Sequence, residues 1–210
     1  MLFFIMQNIF LYPIVQQFKD NFGQVLKNMT SSSGYMQFSS NDEWMTPRYA
    51  LRDFFSYTKI DKQYRIWEPF YGDGRSTNIM KTMGYDVIEC EGKDFFSTPI
   101  PTGNVILVSN IPFSIKKQIL QFIFLEANIE RFAILLPVNT FYTKYFHEIL
   151  EKTENRNVNM LIPHARIQYT KNGKKISYCA LDTAWMVSGI DLPTPRHGMH
   201  FMPAIGPRDA

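Results

Sequence analysis

The apolar positions of this chain change period several times after residue 44. Arg65-Ile66-Trp67 is a short strand-like run that leads into EPFYGDG. Ser76 to Met83 has helical spacing, and Gly84 stands where a helix C-cap belongs. Tyr85 to Cys90 reads as a second strand. Asn104 to Ser109 reads as a third, dense in β-branched and apolar residues, as a parallel strand covered on both faces should be. Ile115 to Glu126 sets Ile115, Ile119, Phe122 and Ile123 on one helical face. Phe132 to Leu136 is a fourth strand. Arg166–Tyr169 and Ala180–Val187 follow as later strands, with the NGKK turn region between them. Strands and helices that alternate with short links predict an α/β fold, an open and mostly parallel sheet doubly wound by helices on both faces. Such sheets bind ligands beyond the carboxyl ends of their strands. The unusual sequence falls there: EPFYGDG after the first strand, an acid after the second, SNIPF after the third.

The ends of the chain read differently. Ile14, Phe18, Phe22, Val25 and Leu26 recur at helical spacing, which predicts an amphipathic helix over 14–28, with SSSG at 31–34 as a linker. Residues 1–35 are therefore expected to form an N-terminal extension, 36–192 the main domain and 193–210 an irregular tail rich in proline and glycine. MLFFIMQNIFLYP lacks a preceding basic residue, is cut by Pro13 and is too short to span a membrane. A chain of 210 residues, 45% of them hydrophobic, suffices for one sizeable core. The net charge of +3 is too small to announce a nucleic-acid partner by itself. Cys90 and Cys179 have no metal-ligand spacing, and the four histidines are scattered. No metal site or disulfide framework is expected, which suits a reducing, cytoplasmic setting.

EPFYGDG places Glu68 at a strand end, then Gly72 and Gly74 ahead of a helix. Glycines there let the backbone turn tightly and approach a ligand. The stretch lacks the third glycine and the lysine of phosphate-binding loops. Glu68 suits the ammonium group of a cofactor that carries an amino acid. Near the end of the second strand stand Glu89 and Glu91. A carboxylate in that place accepts from both hydroxyls of a ribose, and by spacing Glu91 fits better than Glu89.

SNIPF ends a buried-type strand with an amide, a proline and an aromatic. An amino group on a heteroaromatic ring has a delocalised lone pair and is a poor nucleophile. Two acceptors on its hydrogens free that pair. Asn110 offers a side-chain oxygen, and the Ile111 carbonyl, held by Pro112, offers the second. Phe113 supplies a stacking face. Catalysis would then be positioning of the amine in line with an electrophilic methyl.

Over about residues 41 to 190 the chain resembles the S-adenosylmethionine-dependent amino-methyltransferases, which methylate adenine N6 or cytosine N4. DEWMTP (42–47) is similar to the N-terminal cofactor segment of phage- and virus-type adenine methyltransferases. EPFYGDG is similar to their glycine motif, KDFF (93–96) to the segment on the cofactor's adenine, and SNIPF to the catalytic tetrapeptide. RIQYTKNGKK and DTAWMVSGI resemble the late strands of small viral members. The resemblance implies a Rossmann-like class I methyltransferase fold, S-adenosylmethionine as cofactor and a methyl transfer to adenine N6 in DNA. It implies that Thr46, Pro47, Glu68, Pro69, Gly72, Gly74, Glu91, Asp94 and Phe95 hold the cofactor. Asp94 would accept from its adenine amine, and Phe95 or Phe96 would pack on its ring, with one of the two in the core. Asn110, Ile111, Pro112 and Phe113 would grip the target base.

The pattern has one departure and one gap. Ile111 replaces the usual first proline, and Asn-Ile-Pro-Phe is similar to the tetrapeptide of ribosomal-RNA adenine dimethyltransferases. The expected partner is nucleic acid, DNA ahead of RNA, with a protein glutamine amide and a non-catalytic scaffold as alternatives. After Phe113 little chain is spare for target recognition: 139–165 and 170–178. Lys116 and Lys117 follow the catalytic motif, and Lys171, Lys174 and Lys175 surround a glycine. These lysines suit contacts to phosphates near a flipped base, and equally a solvated surface.

Overall fold

In the computed structural model, residues 44–154, 156–171, 174–175, 182–194 and 198–207 are described. The helix expected over 14–28 and its linker lie outside the described residues.

Helix α1 (Arg48–Thr58) precedes strand β1 (Arg65–Glu68). Helix α2 (Arg75–Thr82) leads to β2 (Val87–Glu89), and the chain then crosses back to β3 (Val105–Asn110). A 3-10 turn (Phe113–Ile115) opens α3 (Lys116–Gln121), which widens into a π segment (Phe122–Glu126) before β4 (Phe132–Pro137). A second 3-10 stretch (Val138–Tyr142) leads into α4 (Lys144–Lys152) and β5 (Asn159–Ile162). The short hairpin β6 (Thr170–Lys171) and β7 (Lys174–Lys175) comes next, then β8 (Thr183–Ser188) and β9 (Met199–Phe201). Among the described residues, no helix is long and apolar enough to cross a membrane.

The main sheet has the order β2-β1-β3-β4-β8-β5-β9. β2, β1, β3 and β4 run parallel, and β8 enters antiparallel between β4 and β5. Successive strand residues divide between two apolar layers, because side chains of a strand alternate faces. Ile66, Ile106, Val108, Leu135 and Trp185 pack with Phe54 and Phe55 of α1 and Met80 of α2. Trp67, Leu107, Ile134, Leu136 and Met186 pack with Ile119 and Leu120 of α3 and Phe146 of α4. Both faces are thus covered, which is why β4 reads as an unbroken apolar run and is buried along its whole length. This is the Rossmann-like, doubly wound α/β fold predicted from the sequence. From β1 the chain winds out to β2 on one side and to β3 on the other. The crevice beyond the carboxyl ends of β1 and β3 is therefore its switch point.

Three readings change. Arg166–Tyr169 pairs in no strand ladder. Its alternation is real, with Ile167 and Tyr169 buried, but it comes from packing beside α1, where the Gln168 N–H donates to the Tyr49 hydroxyl at 2.6 Å. Residues 139–165, read as spare chain, are occupied by α4, which covers one face of the sheet, and β5, which joins it. The tail beyond 192 is not wholly irregular, since Met199–Phe201 adds a parallel strand to the edge of β5. Three residues flanked by Gly198 and Met202 carry too little pattern of their own, and the partner strand supplies the order.

Candidate functional site

At the switch point a cleft is lined by Trp44, Met45, Thr46, Glu68, Phe70, Tyr71, Gly72, Asp73, Ser76, Asn110 and Pro112. β1 delivers Glu68 at its last position and β3 delivers Asn110 at its own last position. The turn between β1 and α2 delivers Tyr71 to Asp73. Gly72 and Gly74 stand at φ +59° and +76°, which L side chains rarely adopt. A Cβ on Gly74 would lie 2.6 Å from the Tyr71 hydroxyl, so the glycine also lets Tyr71 fold across its own turn.

Asn110 is held by a distant segment. Its Nδ2 donates to the Trp44 carbonyl at 2.9 Å, which fixes the orientation of the amide. Oδ1 then has no hydrogen-bond partner although it is buried. An orphaned buried acceptor is costly, and on a cleft wall it marks a place for a donor from a ligand. The Thr46 hydroxyl is a second such atom on the same wall.

Glu68 is 2% exposed. Its Oε1 accepts from the Phe70 N–H at 3.0 Å and from the Ser109 hydroxyl. Burial pushes its carboxyl up to about 8, with the two hydrogen bonds pulling the other way. Among the described residues no cationic side chain pairs with it. A buried acid of this kind keeps its proton, and its charged form would need a cation beside it.

The cleft thus gathers Thr46, Glu68, Gly72, Asn110 and Pro112 from the expected residues. Pro47, Pro69, Gly74 and Phe113 are buried beside it, and the Ile111 side chain points into the core at 2% exposure. Phe95 is 3% exposed and packs behind Phe70 with the rings tilted by 44° and 4.7 Å between centroids, so Phe70 is the aromatic at the cleft and Phe95 backs it. Phe96 is half-buried. Asp94 starts a turn, its Oδ2 accepting from the Ser97 N–H at 3.1 Å. Glu91 is exposed on the turn beyond β2 and does not line the cleft. Glu89 ends β2 in register with Glu68, and its carboxylate is 3.1 Å from Lys81 Nζ.

Lys116 Nζ donates to the Phe113 carbonyl at 3.2 Å, which ties the start of α3 to the catalytic-type turn. Lys117 is exposed. Lys171, Lys174 and Lys175 belong to the β6–β7 hairpin, whose backbone pairs Lys171 with Lys174 and Thr170 with Lys175. That hairpin borders the cleft. Met45 and Thr170 exchange backbone hydrogen bonds at 2.9 and 3.2 Å, and Arg75 Nη1 donates to the Thr170 hydroxyl at 2.9 Å.

The pattern of the sequence missed Trp44, Met45, Phe70, Tyr71, Asp73, Ser76 and Ser109. Six of the seven sit inside DEWMTP or EPFYGDG or just after the latter, so their neighbourhood was visible and their parts were not. Nothing in the sequence marks Ser109 as the partner of Glu68.

No family model and no curated protein matches the sequence. A solved structure from Listeria monocytogenes, a candidate class I S-adenosylmethionine-dependent methyltransferase, aligns over 84% of this chain and 69% of its own, with 12% identity and a TM-score of 0.49.

Proposed function

We propose that this chain is an S-adenosylmethionine-dependent methyltransferase that transfers a methyl group to the exocyclic N6 amine of adenine in DNA. One observation carries the reading: Asn110 has its amide nitrogen spent on Trp44, and its buried Oδ1 is unpartnered on the cleft wall. A side-chain oxygen in that state accepts a hydrogen from a ligand amine without first giving up another bond.

The other half of the cleft fits the amino-acid part of the cofactor. Glu68 would hold the ammonium group, and the orphaned Thr46 hydroxyl would meet a polar atom of the methionine end. Gly72 leaves the backbone open to close approach, and Phe70 offers an apolar wall. When bound, S-adenosylmethionine supplies an electrophilic methyl on a sulfonium. The protein's own contribution is orientation. Asn110 holds the amine, Pro112 keeps the backbone after Ile111 in one conformation (φ −61°), and the Trp44 carbonyl prevents the amide from flipping.

Calorimetry with S-adenosylmethionine tests the first half, and methyl transfer to single-stranded and duplex DNA and RNA, read by mass spectrometry, tests the second. Failure to bind the cofactor would leave a non-catalytic scaffold. Transfer to RNA alone would favour the second reading suggested by Asn-Ile-Pro-Phe, a ribosomal-type adenine N6 methyltransferase.

A further inference from the structure

β4 runs parallel to β3 with Asn110 opposite Leu135, so the chain that leaves β4 emerges on the same edge of the sheet as SNIPF. That chain is the 3-10 stretch Val138–Tyr142. Its backbone is pinned. The Thr143 N–H and hydroxyl both donate to the Thr140 carbonyl, at 3.1 and 2.7 Å, and His147 Nε2 donates to the Phe141 carbonyl at 3.0 Å. Phe141 turns inward and meets Phe146 edge-on, with 5.6 Å between centroids. Tyr142 turns outward and is 80% exposed, more than any other large apolar or aromatic side chain among the described residues. A single exposed aromatic is ordinary on a protein surface; what sets this one apart is its place on the pinned turn, at the sheet edge that carries SNIPF.

Two lysines belong to the same region. Lys144 follows at the head of α4 with its side chain 91% exposed, and among the described residues it has one loose ion pair, to Glu148 at 3.6 Å. Lys117, at the head of α3, reaches across to α4, with Nζ 5.7 Å from the Tyr145 ring centroid. An exposed aromatic two residues before one lysine, next to a helix that a second lysine reaches, suits an unpaired nucleic-acid strand: ring faces for bases, ammonium groups for phosphates.

We propose that Tyr142 is a stacking platform for an unpaired nucleobase next to the target, with Lys117 and Lys144 on the adjoining phosphates. The inference rests on the nucleic-acid reading of the cleft and names a separate contact outside it. Stacking is indifferent to base identity, so this contact adds affinity and register without sequence preference.

The test is fluorescence anisotropy with a short single-stranded DNA oligonucleotide, alongside calorimetry with S-adenosylmethionine. Tyr142→Ala is expected to bind DNA about 5- to 150-fold more weakly, the range that one lost stack corresponds to. Tyr142→Phe and Tyr142→Trp should stay close to wild type, and cofactor affinity should not move in any of them. Lys117→Ala and Lys144→Ala should lower the salt dependence of binding, whereas Tyr142→Ala should leave it unchanged. Equal affinity of Tyr142→Ala and wild type would overturn the proposal, as would a loss in Tyr142→Phe as large as that in Tyr142→Ala. Wild type that binds cofactor but no oligonucleotide would also overturn it, with the cofactor reading intact. Oligonucleotide binding through Tyr142 without cofactor binding would sustain this contact and defeat the methyltransferase.

Discussion

The Ser109 hydroxyl donates to Oε1 of Glu68 from the strand next door, and Asn110 is the following residue. The buried acid at the end of β1 and the amide at the end of β3 are therefore coupled through one hydroxyl between two parallel strands.

Stability should depend on pH through Glu68. In the fold its carboxyl keeps its proton up to about 8, against an ordinary value of 4.5. Between those values the fold holds more protons than the unfolded chain, so stability falls as pH rises through that window. A Tm series across it should decline for wild type, and Glu68→Gln should lack that component. Glutamine keeps an oxygen for Ser109 and Phe70, so the variant should fold. A wild-type profile no steeper than that of Glu68→Gln would refute the buried neutral acid.

Cofactor binding should carry the opposite dependence. An ammonium group beside Glu68 favours the carboxylate, so binding expels a proton whenever the free protein holds one. Affinity should rise with pH towards about 8 and fall again above it, where the α-ammonium group itself loses its proton. Calorimetry in buffers of different ionisation enthalpy reads the released proton directly. Glu68→Gln should release none and bind about 10- to 100-fold more weakly, the usual range for a lost hydrogen bond to a charge.

Asn110→Ala should separate binding from transfer. Cofactor affinity is expected to stay near wild type, while the transfer rate drops by about 100- to 1,000-fold, the scale for removal of one preorganised polar contact to the reacting group. Asn110→Asp is a sharper probe, because a carboxylate cannot donate to the Trp44 carbonyl at 2.9 Å. It should loosen the Trp44–Pro47 segment, seen as faster amide exchange there. Full transfer activity in Asn110→Ala would remove the basis of the proposed function.

Gly74→Ala and Gly84→Ala make a matched pair. Both glycines have φ near +80°, where a Cβ costs about 1–2 kcal/mol. Around Gly84 nothing lies within 4 Å, whereas at Gly74 the new Cβ meets the Tyr71 ring. Similar losses of stability are expected, but only Gly74→Ala should also weaken cofactor binding by displacing Tyr71 from the cleft.

Phe95→Ala should behave as a core mutation. Its ring is wedged among Trp67, Phe70, Phe96 and Phe122. A loss of about 3–5 kcal/mol is expected in chemical denaturation. Phe96→Ala, at a half-buried position, should cost less.

The parallel strands were legible because residues buried on both faces must be apolar throughout, as in Val105–Val108 and Phe132–Leu136. The two ends of the cleft were legible because their chemistry is local: EPFYGDG and SNIPF each span a single turn. What escaped was of two kinds. Helix α4 shows only two fully buried positions, Phe146 and Ile149, and so offers a weak stripe. The amide lock between Trp44 and Asn110 joins residues 66 positions apart, and no local pattern encodes such a contact. Arg166–Tyr169 shows the converse, where alternation typical of a strand arises from burial beside a helix.

The clasp between Met45 and Thr170 also bears on how the protein is made. A nascent chain that has left the ribosome only as far as residue 165 already displays both signature turns, yet one jamb of its doorway is still in the exit tunnel. During synthesis the Met45 side of the cleft therefore gains its backbone partner only after the hairpin has emerged, however early the sheet begins to assemble.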